Sequence, residues 1–200
     1  MADTKISALP AVGLPLDGTE TFAIVQGATS EKITALQMGL NRVARLSADQ
    51  SNATTTPTKV TGLDVTTGTG TFVFKYYIYY QSSAATTGVK FDVNHSGTVA
   101  PFLWNQYWID ASATASTAAP DQDNIQAAGA VVGGFGSRAK GTAGRGTTVS
   151  VDTLNADMLM VIEGLFICTV SGDLQLYHGS ETANSTTVKA GSSLILTRTA

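Results

Sequence analysis

The sequence is poor in charge and in cysteine. Charged residues make up 14% of its 200 residues, whereas about a quarter is usual in globular domains. The formal net charge of −3 offers no basic surface of the kind that binds nucleic acid, so we expect no nucleic-acid partner. Cys168 is the single cysteine, which excludes a disulfide within the chain and fits folding in a reducing cytosol.

Long apolar runs are missing as well. The longest, at 158–170, has 13 residues and is interrupted by Glu163, whereas a membrane-spanning helix needs about 20 residues. The first residues lack the basic start and apolar core of a signal peptide. We therefore expect no membrane partner.

The residue patterns of enzymes and metal sites are also missing. His95 and His178 have no second His or Cys at metal-ligand spacing, so we expect them at polar surface or edge positions. Cys168 alternates into an apolar face, where a thiol acts as a small hydrophobe. The Gly-rich segment 133–146 lacks the residue order of a phosphate loop. Its basic residues either bind an acidic partner surface or face solvent. The sequence predicts no enzymatic activity, no metal and no cofactor.

What the sequence does contain is a series of short segments with the alternation typical of β-strands. Glycine, proline and small polar residues separate these segments. Residues 47–200 hold roughly eight to ten of them, without βαβ alternation and without an internal repeat. The pattern predicts an all-β body at 47–200 with the architecture of a jelly-roll-like antiparallel sandwich.

Two long strands have apolar side chains on both faces. In 71–80, one face carries alternating Phe, Tyr and Ile residues for the core, whereas the other is amphipathic. In 158–170, only Glu163 interrupts the second face, so a third layer, a loop or a neighbouring subunit must cover it. Glu163 and Lys75 should form an inter-strand or an inter-subunit pair, because a charge within an apolar pattern needs a partner. We predict a subunit interface at Tyr77, Tyr79, Leu159, Val161, Glu163 and Leu165.

The first 46 residues differ in pattern from the body. Prolines and glycines in 1–20 favour an extended arm that needs another chain to lie against. Residues 21–34 predict a hairpin with its turn at 27–30, and 35–44 predict a short helix after an N-cap at Thr34. The predicted domains are therefore 1–46 and 47–200. The less favoured alternative is that the hairpin and helix at 21–44 form a self-contained subdomain that docks on the body.

An aromatic cluster precedes the long polar loop at 110–124. Trp104, Tyr107 and Trp108 could stack on a glycan, because aromatic rings beside a long polar loop can stack on sugars. The same three residues more often fill a sandwich core or a subunit interface, and we favour that interpretation.

Four short segments follow one another in the first 34 residues: Lys5-Ile-Ser-Ala-Leu-Pro10, Asp17-Gly-Thr-Glu20, Ile24-Val-Gln-Gly27 and Lys32-Ile-Thr34. In this order they resemble the N-terminal segment of many virion proteins of tailed bacteriophages, including head-fibre, tail-fibre and decoration proteins. In that family this segment attaches the protein to the particle. The resemblance thus implies virion-anchoring residues at Lys5, Ile6, Leu9, Pro10, Val25 and Ile33.

The body resembles a β-sandwich module of phage structural proteins. The segments concerned are Leu46-Ser-Ala-Asp49, Val60-Thr-Gly-Leu63, Ile162-Glu-Gly164, Ser180-Glu-Thr182 and Val188-Lys-Ala-Gly-Ser192. In such proteins the sandwich trimerises and faces outward. The resemblance implies a homotrimeric capsid decoration or head-fibre protein, made in the host bacterial cytoplasm and located on the virion surface. Its partner would be the major capsid protein or another virion protein, contacted through 1–46. A tail-fibre or receptor-binding protein that reads host glycans is the alternative.

Overall fold

The computed structural model describes the backbone of residues 21–26, 29–34, 41–84, 86–110, 124–127, 130–133, 138–139, 146–147 and 154–199, and the side chains of 41–84, 86–106 and 154–199. Within these residues the chain forms strands and no helix. The strands are β1 Thr21–Gln26, β2 Thr29–Thr34, β3 Arg42–Arg45, β4 Gln50–Asn52, β5 Thr58–Lys59, β6 Val65–Thr67, β7 Gly70–Ser82, β8 Val89–His95, β9 Thr98–Asp110, β10 Asn124–Ala127, β11 Ala130–Gly133, β12 Arg138–Ala139, β13 Gly146–Thr147, β14 Met158–Val170, β15 Gly172–Ser180, β16 Thr186–Val188 and β17 Ser193–Arg198.

The body consists of two antiparallel sheets. The larger sheet has the order β10-β11-β9-β14-β7-β16-β4, with β17 joining β7 to β3 and β12 beside β9. The smaller sheet has the order β13-β8-β15-β5, with β6 beside β15. The predicted all-β antiparallel sandwich is confirmed, and its strand order is compatible with jelly-roll connectivity.

The core lies between the two sheets and follows the alternation in the sequence. On β7, the side chains at 72, 74, 76, 78 and 80 are all buried, as predicted. The Tyr80 and Phe91 rings meet edge to face across the sandwich, with centroids 5.7 Å apart. Phe166 from β14 stacks on Phe72 at 5.2 Å and on Phe102 at 5.4 Å. Aromatic packing of this kind adds about 0.5–1.5 kcal/mol per pair beyond burial alone.

Strand β14 occupies the centre of the larger sheet. It pairs with β7 from Met158↔Tyr80 to Cys168↔Gly70 without a shift in register. On its other edge it pairs with β9, where the register shifts between Phe166 and Val170. Because backbone partners occupy both edges and the core covers one face, only the second face of β14 is left for other contacts.

The N-terminal predictions have a mixed outcome. The hairpin is confirmed, because β1 pairs with β2 in antiparallel register from Thr21↔Thr34 to Gln26↔Thr29. Its turn was predicted too long, since Thr29 and Ser30 already belong to β2. The helix prediction was wrong at 41–44, where residue 41 has no regular structure and 42–44 form strand β3 and pair with β17. The remainder, 35–40, lies outside the described residues. Residues 42–45, assigned to the N-terminal segment, therefore belong to the body sheet. The arm at 1–20 also lies outside the described residues.

The prediction for the two histidines was wrong. His95 is 0% exposed and His178 is 1% exposed, so both lie in the core and not at the surface. Both stand near a strand end, but the inward alternation of β8 and β15 continues through them. Cys168 is 2% exposed, which confirms the prediction that it packs as a core residue.

Candidate functional site

The larger sheet has an apolar face that points away from the core, which we call the outer face. It is formed by β9, β14, β7, β17 and β3, whose register places the side chains concerned on one side. Eight large apolar side chains are exposed among the described residues. Six of these eight lie on the outer face: Val43, Val73, Tyr79, Leu103, Leu165 and Ile167.

An ion pair lies in the middle of the outer face. Lys75 Nζ is 2.9 Å from Glu163 Oε2, and the side chains are 35% and 46% exposed. Across the sheet, Glu163 is paired with Asn105 on β9, and Lys75 is paired with Ile195 on β17. Lys75 Nζ also lies 5.6 Å from the centroid of the Tyr77 ring. The predicted inter-strand pair is thus present within the chain, where solvent limits its contribution to about 0–1 kcal/mol.

A shallow groove of about 630 Å³ surrounds this ion pair. Its lining comes from β7, β9, β14 and β17: Val73, Phe74, Lys75, Leu103, Trp104, Asn105, Glu163, Gly164, Leu165, Ile195 and Thr197. The groove combines apolar walls with one charge of each sign. Such a lining suits an apolar side chain flanked by polar or charged groups, as protein surfaces supply.

Gly164 determines the packing beneath the groove. A Cβ atom at this position would lie 2.7 Å from Phe74 Cζ, 2.7 Å from Trp104 Cβ and 2.4 Å from the Leu103 carbonyl oxygen. Real Cβ contacts are much longer. The glycine therefore lets the β7 and β9 aromatic side chains approach each other beside β14.

The structure brings all six predicted interface residues onto the outer face. Tyr79 and Leu165 are exposed, and Tyr77, Leu159 and Glu163 are half-buried. Val161 is only 3% exposed, so contacts within the chain already cover it. The face is wider than predicted, since the interface predicted from the sequence did not include Val43, Leu103 and Ile195. Alternation could have revealed Leu103, because it stands next to the core residue Trp104.

The aromatic cluster does not form a glycan platform at Trp104. This side chain is 1% exposed and belongs to the core, as the favoured structural interpretation predicted. A buried indole cannot stack on a sugar, so the glycan interpretation was wrong for this residue. The side chains of Tyr107 and Trp108 lie outside the described residues, as do those of all the predicted anchoring residues: Lys5, Ile6, Leu9, Pro10, Val25 and Ile33.

Cys168 and His95 come together in the core, a contact that the sequence did not reveal. Cys168 Sγ lies 3.9 Å from His95 Nε2. The Gly97 N–H donates to Nδ1 at 3.0 Å, so in the neutral ring Nε2 carries the proton. Nε2 lies 2.7 Å from Thr67 Oγ1 and donates to it. An Nε2 that already carries a proton cannot act as a base for the thiol, and both groups are buried, so this arrangement is structural.

Burial changes the ionisation of His178. Burial lowers its pKa to about 4, because the charged imidazolium would lose its contact with water. The imidazole is therefore neutral in the folded protein at neutral pH. Its role in the core is to fill space between the sheets.

Searches for similar proteins give no functional lead: no protein-family model, curated protein or solved structure matches the chain. Among the described residues, no group of three or more His, Cys, Asp or Glu side chains is placed to hold a metal ion. The same part of the chain contains no helix long and apolar enough to cross a membrane.

Proposed function

We propose that the protein is a non-enzymatic structural protein of a tailed-bacteriophage virion. In this proposal it is a homotrimeric capsid decoration or head-fibre protein, seated on the particle through its N-terminal segment. The observation that carries the proposal is the outer face, since six exposed large apolar side chains on one sheet face mark an interaction surface. The ordered N-terminal pattern from Lys5 to Thr34 supplies the virion context.

The outer face supports a binding role because of its composition. Aromatic and aliphatic side chains dominate it, and Lys75 and Glu163 at its centre neutralise each other. The centre of a protein–protein interface is likewise depleted in charge and enriched in aromatic residues. An assembly protein needs such a surface, and the sandwich provides it on a rigid sheet.

The burial of Trp104 favours the capsid proposal over the glycan-reading alternative. A receptor-binding protein needs exposed aromatic side chains for stacking on sugar rings. One of the three aromatic residues considered for that role instead fills the core.

Immunogold labelling of intact phage particles tests the proposal. We expect label on the capsid. Label on the tail would instead favour the receptor-binding alternative, and particles without label would contradict a virion role. As a variant, Ile6→Asp in the phage genome should yield particles that lack the protein, while the variant protein itself remains folded. Thr199→Ala, at the other end of the chain, serves as the control and should remain on the particle.

A further inference from the structure

We propose that the outer face is where copies of this chain meet, with Lys75 of one copy placed against Glu163 of the next. The inference rests on the homotrimer of the proposed function and names its contact surface. It also extends the predicted interface by three positions across the sheet: Val43, Leu103 and Ile195.

The size of the outer face suits contact between two folded subunits. Five adjacent strands spaced at about 4.8 Å make it roughly 24 Å wide. It is roughly 20 Å long, since β17 has six residues and β7, β9 and β14 are longer, and it is shorter at β3, which has four. The product is a flat area of roughly 500 Å². The side chains make the face uneven, which raises its solvent-accessible area toward the roughly 800 Å² that each partner contributes to a standard interface. A short peptide would leave much of this surface uncovered.

Charge complementarity identifies the occupant as a second copy. The Lys75–Glu163 pair places one charge of each sign side by side at the centre of the face. A partner surface of a single sign would meet repulsion from one of the two groups. Another copy offers the matching arrangement, since its Glu163 can lie against Lys75 and its Lys75 against Glu163.

A closed ring of copies would make this arrangement continuous. Around a threefold axis, three copies would place Lys75 and Glu163 alternately, so that every charge has opposite charges on both sides. Closed symmetry is the rule for homo-oligomers. The apolar side chains around the pair would exclude water from it and so strengthen the attraction.

Mixing two charge-reversal variants tests the inference. With Lys75→Glu or Glu163→Lys alone, the centre of every face has one sign, so we expect each variant to self-associate at least about tenfold more weakly than the wild type. Mixed together, the two variants should restore oligomers that contain both chains. Native mass spectrometry measures the composition of each oligomer directly after one variant has been labelled with 15N.

A second ion pair provides the matched control. Lys59 Nζ lies 2.9 Å from Asp64 Oδ2, with the side chains 34% and 28% exposed, on the side of the smaller sheet. Lys59→Glu should therefore leave self-association unchanged. If Lys75→Glu behaves like Lys59→Glu, and its mixture with Glu163→Lys shows no preference for mixed oligomers, the inference is wrong.

A second pair of variants, which replace apolar residues, separates an effect on self-association from an effect on folding. Leu103 on the outer face is 51% exposed and Leu154 away from it is 54% exposed, so Leu103→Asp and Leu154→Asp are equally tolerable in the monomer. We expect Leu103→Asp to weaken self-association and Leu154→Asp to leave it unchanged, with both variants folded by circular dichroism. Equal behaviour of the two would overturn the inference. Immunogold labelling reports on the virion role independently of all these outcomes.

Discussion

At position 164, the absence of a side chain decides how three neighbouring strands pack. The space that a Cβ atom would need is filled by Phe74, Trp104 and the Leu103 carbonyl. We expect Gly164→Ala to lower the free energy of unfolding by about 1–3 kcal/mol, the usual cost of overpacking. Urea unfolding at fixed protein concentration measures this loss. Thr169→Ala, at an exposed position on the same strand, should change the stability by less than about 0.5 kcal/mol.

His178 makes stability depend on pH. Its pKa is about 4 in the folded protein, whereas the ordinary value, which we take for the unfolded chain, is 6.5. Between these values the unfolded state binds the additional proton, so stability is fully present above pH 6.5 and is lost as pH falls toward 4. From pH 7 to pH 5 the loss should be about 2 kcal/mol.

Urea unfolding of the wild type and of His178→Phe at pH 7 and pH 5 checks this expectation. The variant removes the titrating group, so it should lose about 2 kcal/mol less than the wild type over this range. An equal loss in the two proteins would show that other groups cause the pH dependence. Both proteins must be compared at one concentration, because self-association also stabilises the folded state.

At the residue scale, alternation predicted the core well and the polar exceptions poorly. The buried positions of β7 follow from period-2 patterning, since a strand with one buried face exposes every second side chain. The histidines were assigned by residue type, which is a weaker guide than their place in the alternation. His178 follows Leu174 and Leu176 at the same period and is buried with them.

At the scale of elements, β14 organises the larger sheet. Its backbone pairs with β7 and β9 on its two edges, whereas β4 pairs with β16 alone. We expect the amides of β14 to exchange with deuterium the most slowly of the described strands, near the rate set by global unfolding. The amides of β4 should exchange orders of magnitude faster. Hydrogen exchange followed by mass spectrometry measures both, and equal rates would contradict the central position of β14.

Elements with strong local patterns could be predicted, whereas one with an ambiguous pattern could not. The hairpin at 21–34 has two short runs around a glycine turn, and its pairing needs no distant partner. The error at 42–44 has the opposite cause. Apolar residues at 36, 40 and 43 fit a helical face, but Val43 pairs with Ile195 from the other end of the chain. Tertiary pairing decides such short segments, and local spacing does not show it.

At the scale of the whole molecule, the exposed side of β14 connects the fold with the proposed assembly. The sequence predicted that this side needs a cover, because its apolar residues exceed those of a solvated strand. Within the described residues, the structure leaves Leu165 and Ile167 exposed there, at 38% and 37%. The cover itself could not be predicted from patterning, since periodicity shows which face is apolar but not what lies against it.

The mass of the protein in solution tests the central claim most directly, namely that the outer face is an assembly surface. Sedimentation equilibrium from nanomolar to micromolar concentration should give three times the 20.7-kDa mass of the chain. The Leu103→Asp variant should shift toward the monomer over the same range. A wild-type protein that remains a monomer at micromolar concentration would contradict the account.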